Sequence, residues 1–340
     1  MKAIQITDLK TVKLADIEKP TLAPDQVLLK LQYVGFCGSD LNTFLGRNAM
    51  AIPNVIPGHE IAATVEEIGS AVPADFLKLG ETVTVNPYTA CGKCSSCRRG
   101  RPNACRSNQT LGVQRNGAMT EYIAVPWTKV IPTGNIPMRD VALIEPMSVG
   151  FHAVSRGEVT DIDTVLVFGC GMVGLGAVVR AAQRGATVIA VDLDDEKLVL
   201  AKELGATYAI NSAKEDLHER LMEMTAGDGP DVVIEAVGNP ITYQAAVNEV
   251  AFCGRVVCIG YAKSDISFQT KLFVQKELDI RGSRNAMPSD FTAVIRYMNR
   301  GNCPTDRLVS DVVAPEKAGE ALEKWSEAPA KVFRILVDLR

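Results

Sequence analysis

From Asp161 onward, short apolar runs alternate with amphipathic stretches, and that rhythm admits few folds. Strands are expected over 165–168, 188–191, 208–210, 232–236, 255–259 and 278–281. Helices are expected over 173–184, 196–204, 216–224 and 241–251. Parallel strands need a crossover of a dozen residues or so, usually a helix, so this order implies a doubly wound α/β sheet with helices on both faces. The first run leads into Gly169-x-Gly171-x-x-Gly174. There Gly169 permits a tight turn, Gly171 lets backbone approach a pyrophosphate at a helix N-terminus, and Gly174 lets helix and strand pack closely. Asp192 ends the next strand, eighteen residues after Gly174, where a carboxylate accepts from adenosine ribose hydroxyls and repels a 2′-phosphate. NAD is therefore expected rather than NADP. Lys197 is a further candidate for the ribose, or an exposed helix lysine.

A second feature is the cysteine series Cys91-x2-Cys94-x2-Cys97-x7-Cys105. Four thiolates this close in sequence suit one tetrahedral zinc, with Zn–S bonds of about 2.3 Å. An iron–sulfur run would have a shorter last spacer followed by proline, whereas Arg106 follows here. Arg98, Arg99, Arg101 and Arg106 read as a solvated rim on this loop.

The chain has 340 residues, enough for about two domains. Its net charge of −4, without a basic stripe, argues against nucleic acid. The longest uncharged stretch, 164–179, carries four glycines and falls short of the ~20 residues of a membrane span. Nine cysteines and no signal-peptide pattern lead us to expect the reducing cytoplasm. The first ~130 residues are strand-like with long loops, including runs 27–34, 61–68 and 81–86. Residues 138–157 read as helical with a kink at Pro146, and a final strand-like run, 332–337, is expected to return to the first domain.

Three further segments carry S, N and O donors: Cys37-Gly38-Ser39-Asp40, Gly58-His59-Glu60 and Ile144-Glu145-Pro146. Singly, each has an ordinary structural reading. Together, beside a dinucleotide motif, they make the chain resemble a zinc-dependent medium-chain dehydrogenase of the polyol and sorbitol dehydrogenase branch. The zinc signature of that family appears as Gly58-His59-Glu60-x2-Ala63-x5-Gly69-x2-Val72, with Ala63 in place of a glycine.

The resemblance implies a GroES-like, irregular β catalytic domain over 1–152 and 289–340, with a zinc lobe at 88–108, and a Rossmann domain over 153–288. It implies two zinc ions per chain. One is held by Cys91, Cys94, Cys97 and Cys105. The other is held by Cys37, His59 and Glu145, with Glu60 as an adjacent or exchanging ligand. Asp40 matches the acid that orients the zinc histidine, and Ser39 the residue that takes the alcohol proton. Asn42 stands where many members have a histidine, so an outer proton relay must use water, cofactor hydroxyls or another acid.

Met172, Val173, Val237, Gly260 and Ser283 are further cofactor candidates. Arg284, Asn285 and Phe44 are the substrate candidates, the first two within a Gly-Ser-Arg-Asn segment resembling that of sugar-acid dehydrogenases. The expected activity is oxidation of a secondary alcohol of a polyol or sugar acid to a ketone with NAD, by a homodimer or homotetramer. Alternatives are an L-threonine or simple alcohol dehydrogenase and, from another class, a regulatory protein that keeps the fold without catalysis. His152 and His218 are expected to be structural or surface residues.

Overall fold

The computed structural model describes all 340 residues. The chain forms two compact units, Met1–Glu145 with Met287–Arg340, and Pro146–Ala286. The junctions fall seven and two residues before the boundaries the resemblance implies. The first difference has a packing cause. A Cβ on Gly150 would stand 2.1 Å from Val173 O, so the helix carrying Gly150 lies hard against the helix after the glycine loop. No helix is long and apolar enough to cross a membrane.

The first unit is built on a seven-stranded sheet. Its path runs Asp311–Val313, Ile335–Asp338, Gln26–Phe36, Glu60–Ile68, Thr82–Val85 and Val130–Pro132, with Tyr122–Pro126 also pairing with Gln26–Phe36. Register shifts after Leu28 and Leu31 mark bulges, which bend the central strand. Its buried side chains Leu29, Leu31, Val34 and Phe36 pack with Ile61, Val65, Met119, Leu322 and Trp325. The last strand pairs antiparallel with the central one, Ile335 opposite Phe36, so the C-terminus does return to the first unit. At the N-terminus, Lys2–Asp8 and Thr11–Asp16 pair antiparallel as a hairpin.

The second unit is a six-stranded parallel sheet. The order is Tyr208–Asn211, Thr187–Asp192, Thr164–Phe168, Val232–Glu235, Arg255–Cys258 and Asp279–Gly282. The winding reverses beside Thr164–Phe168, and ligands of open α/β sheets bind at such a switch point, beyond the carboxyl ends of the strands. The glycine loop emerges there.

The expected kinked helix over 138–157 is instead two helices, Met138–Val141 and Ile144–Arg156. Pro146 lies in the first turn of the second helix, where a missing N–H breaks no intrahelical bond, so it begins a helix rather than bending one.

Candidate active site and metal centres

The cysteine lobe closes on itself. Strands Tyr88–Thr89 and Gln109–Thr110 pair antiparallel at its base. Cys94 caps the short helix Ser95–Arg98, which carries Cys97, and Cys105 follows the turn Pro102–Ala104. The four sulfurs lie within 4.8 Å of one another. Cys94 Sγ is 3.5 Å from Cys97 Sγ and 3.7 Å from Cys105 Sγ. Sulfurs at about 2.3 Å from a tetrahedral ion stand about 3.8 Å apart, so the set fits zinc. The Ser96 hydroxyl, then the Cys97 and Arg106 amides, hold the Cys94 thiol down at about 5. The Cys91 amide donates to Cys105 Sγ at 3.3 Å. Donors of this kind favour thiolates, the form that binds metal.

The second cluster forms in the first unit where strands end. Cys37 follows Gln26–Phe36, while His59 and Glu60 stand at the start of Glu60–Ile68. These strands are neighbours, so Cys37, His59 and Glu60 bring their ligand atoms within 4.8 Å. His59 and Glu60 are buried, with His59 Nδ1 and Glu60 Oε2 lacking any hydrogen-bond partner. A thiol, an imidazole and a carboxylate with unspent donor capacity are the ligand chemistry of a catalytic zinc. Burial alone would raise the Cys37 thiol, but neighbouring His59, by charge and hydrogen bond, brings it below the ordinary value. Burial pushes the Glu60 carboxyl well up, with Arg334 opposing and Cys37 and Glu145 adding to the rise. Ser39 Oγ is also buried and without a partner.

Two expected roles are redrawn. Glu145 is not among the three residues that converge; its carboxylate accepts a short hydrogen bond from the Tyr88 hydroxyl. Its charge still reaches His59. Asp40 makes no hydrogen bond to the His59 ring. Its Oδ2 accepts from the Cys37 amide at 2.8 Å, so it fixes the thiol-bearing turn and acts on His59 through charge.

Phe44 is corrected as a substrate candidate. It is 2% exposed within the hydrophobic core and offers no surface to a ligand. Asn42 is half-buried on the same short helix as Ser39. Both remaining histidines belong to the second unit: His152 is buried, and His218 is exposed and bonded to Glu249.

In the second unit, Gly169 has φ +88°, and a Cβ there would meet Val237 Cγ2 at 2.8 Å. A Cβ on Gly174 would stand 1.7 Å from Gly169 O, whereas one on Gly171 would touch nothing within 4 Å. Gly171 begins the helix Met172–Gln183, whose N-terminus has no side-chain cap. Backbone N–H groups there, with open space before them, suit a pyrophosphate. Asp192 Oδ2 accepts from Cys170 N at 2.7 Å and Oδ1 from Leu193 N at 2.7 Å, tying the acid to the glycine loop. The Lys197 amide helps close the next helix on Asp194 at 3.4 Å. Val173 is half-buried beside buried Met172. Gly260 packs against Gly238, where a Cβ would lie 2.2 Å from its nitrogen. Ser283 is buried, its amide bonded to Cys258 O at 2.8 Å. Arg284 and Asn285 are half-buried, and Asn285 has φ +55°.

Three residues escaped the sequence reading. Arg334 pairs with Glu60, and an arginine inside the apolar run 332–337 was its signal. Glu235 ends an apolar strand and accepts from the Val237 and Gly238 amides at 3.0 and 2.8 Å. Tyr88 carried no signal in the sequence.

Comparison with known proteins agrees with this picture. A model of the alcohol dehydrogenase GroES-like domain matches residues 23–137, and one of zinc-binding dehydrogenases matches 173–300. Sorbitol dehydrogenase of Bacillus subtilis is 32% identical over 99% of this chain and 97% of its own. L-galactonate-5-dehydrogenase of Escherichia coli K12 is 34% identical over 86% of each. The crystal structure of a short chain alcohol dehydrogenase (RspB) from Escherichia coli CFT073 complexed with NADH superposes with TM-score 0.90, at 29% identity over 99% of both chains. With a GroES-like unit, a dinucleotide-type parallel sheet and relatives matched nearly end to end, the chain belongs to the zinc-dependent alcohol dehydrogenase family, in its polyol dehydrogenase branch.

Proposed function

We propose that the protein oxidises a secondary alcohol of a polyol or sugar acid to the ketone with NAD, and that it carries two zinc ions. The reading rests above all on one observation: Cys37, His59 and Glu60 converge within 4.8 Å while Ser39 Oγ is buried with no partner. A zinc ion held by these three residues would supply the Lewis acidity that lowers the pKa of an alcohol. Ser39 is the group that accepts the alcohol proton. Arg334 neutralises Glu60, and Tyr88 holds Glu145 in place. Cys91, Cys94, Cys97 and Cys105 hold the other ion and fold their lobe.

The amides after Gly171 receive the pyrophosphate, with Val237, Gly260 and Ser283 as further cofactor contacts. Asp192 accepts from the Cys170, Leu193 and Asp194 amides, and its Oδ2, bonded only to Cys170 N, retains a lone pair for a ribose hydroxyl. Its charge disfavours NADP. Arg284 and Asn285 remain candidates for substrate hydroxyls or a carboxylate. The named relatives act on sorbitol and L-galactonate, which supports a polyhydroxylated substrate.

The test follows NADH absorbance across polyols, aldonates, L-threonine and simple alcohols, with NAD and NADP. A polyol or aldonate should give the highest kcat/KM, with NAD preferred, and Asp192→Ala should narrow that preference mainly by weakening NAD. A preference for ethanol or threonine would overturn the substrate class, and a preference for NADP the cofactor choice.

A further inference from the structure

Glu235 ends the strand Val232–Glu235 and lies opposite Phe168, the residue before the glycine loop, on one side and Cys258 on the other. The side chain is fully buried, at 0% exposure. Its Oε1 accepts from Val237 N at 3.0 Å, Gly238 N at 2.8 Å and Thr242 Oγ1 at 2.7 Å. Its main-chain carbonyl accepts from Ile259 N at 2.9 Å and Gly260 N at 3.2 Å. One residue therefore ties together the segments that leave two neighbouring parallel strands. The second carboxylate oxygen, Oε2, is buried with no hydrogen-bond partner. Three donors close the turn on Oε1 alone, so the unpaired Oε2 is a desolvation cost that turn closure does not call for.

The segments that Glu235 holds fit against each other and against the glycine loop. A Cβ on Gly260 would lie 2.2 Å from Gly238 N and 2.8 Å from Glu235 Oε2. One on Gly238, at φ +78°, would lie 2.8 Å from Tyr261 O. Ala236 N donates to Phe168 O at 3.0 Å, and Val237 Cγ2 is the atom a Cβ on Gly169 would meet. Over this buried acid, Val237 and Tyr261 stand exposed, at 50% and 76%. The carboxylate is thus the underside of an open apolar surface beside the phosphate loop.

Strand order says which half of a dinucleotide meets that surface. The amides after Gly171 take the pyrophosphate, and Asp192, on the strand Thr187–Asp192, takes the adenosine ribose. Val232–Glu235 and Arg255–Cys258 lie on the opposite side of Thr164–Phe168. The two halves of a dinucleotide extend to opposite sides of the switch point, so the nicotinamide half extends over the ends of these two strands. We propose that Glu235 is a positioning residue for the nicotinamide half of the cofactor. It touches no ligand; it fixes Val237, Gly238 and Gly260 in the shape that receives the nicotinamide nucleoside, and preorganised geometry of this kind is lost with small displacements. This deepens the proposed function and rests on its cofactor assignment.

The experiment is calorimetry of NADH and of ADP, which carries the adenosine and pyrophosphate without the nicotinamide half. It compares the zinc-loaded parent with Glu235→Ala, Glu235→Gln and Thr242→Val. Glu235→Ala should weaken NADH binding at least about ten-fold and ADP binding less than about two-fold. Glu235→Gln keeps an oxygen for the same amides and should recover most of the NADH affinity. Thr242→Val should act in the direction of Glu235→Ala with a smaller loss. Equal losses for NADH and ADP, or unchanged NADH affinity in Glu235→Ala, overturn the proposal. If Glu235→Ala fails to fold, Thr242→Val decides by the same comparison: a loss confined to NADH supports the role, and no loss or an equal one overturns it. Binding needs no turnover, so a wrong substrate class leaves the result intact. A parent that binds NADPH and not NADH refutes the cofactor choice alone, and the comparison is then read with NADPH.

Discussion

Arg334 Nη1 stands 3.1 Å from Glu60 Oε1, and the two side chains are 5% and 0% exposed. The same nitrogen donates to Phe36 O at 2.6 Å. Removing one member of a buried pair leaves the other uncompensated and costs about 3–5 kcal/mol, while removing both costs less than the sum. Arg334→Met is therefore expected to lower stability by about that amount in urea unfolding, and adding Glu60→Gln should recover part of it. Strictly additive losses would show that the pair is not coupled.

The two metal centres should separate by mutation. Zinc analysis of protein purified without chelator should approach about two ions per chain. Cys94→Ser should bring it to about one and lower the thermal midpoint, because that ion folds its lobe. Cys37→Ser should also lose one ion and abolish activity, but with the unfolding temperature largely kept. A native content near zero with full activity would refute both centres.

Gly171 and Gly174 predict opposite phenotypes from one added methyl. Gly174→Ala places a Cβ 1.7 Å from Gly169 O and should cost about 1–3 kcal/mol or more of stability. Gly171→Ala meets nothing within 4 Å, so the fold should keep its stability to within about 1 kcal/mol. Calorimetric NAD affinity should nonetheless fall about ten-fold or more, since the methyl stands where backbone must approach phosphate. Unchanged NAD affinity in Gly171→Ala would place the pyrophosphate elsewhere.

His218 Nδ1 lies 2.8 Å from Glu249 Oε2, and that hydrogen bond, followed by the charge of Glu249, raises the histidine pKa. A raised folded-state pKa stabilises the fold below the unfolded value of about 6.5, and the gain fades as pH rises through the folded value. The stability difference between parent and Glu249→Gln should thus be largest near pH ~5.5 and vanish by about pH 9. A difference that grew with pH would reverse the assignment. The imidazole is well exposed, so added salt should shrink the effect.

Much of this protein is written locally in its chain. Periodicity places the parallel sheet, because a strand or helix shows its buried face within a few residues. The spacings Gly169-x-Gly171-x-x-Gly174 and Cys91-x2-Cys94-x2-Cys97-x7-Cys105 likewise point to a phosphate cradle and a metal lobe, since one short segment supplies all the groups each needs. Cys37, His59 and Glu60 lie on sequence segments whose chemistry was legible, but their meeting needed neighbouring strands to come together. Glu60 and Glu145 are 85 residues apart, and the resemblance put Glu145 in the ligand set with Glu60 beside it. In the fold Glu60 lies with Cys37 and His59, while Glu145 accepts from the Tyr88 hydroxyl. Packing also brings Arg334 from the far end of the chain to Glu60, buries Phe44, and turns Asp40 to the Cys37 amide. Spacing along the chain encodes backbone geometry over a turn or two, whereas the partner of a buried charge is decided by whichever residue the completed core leaves within reach.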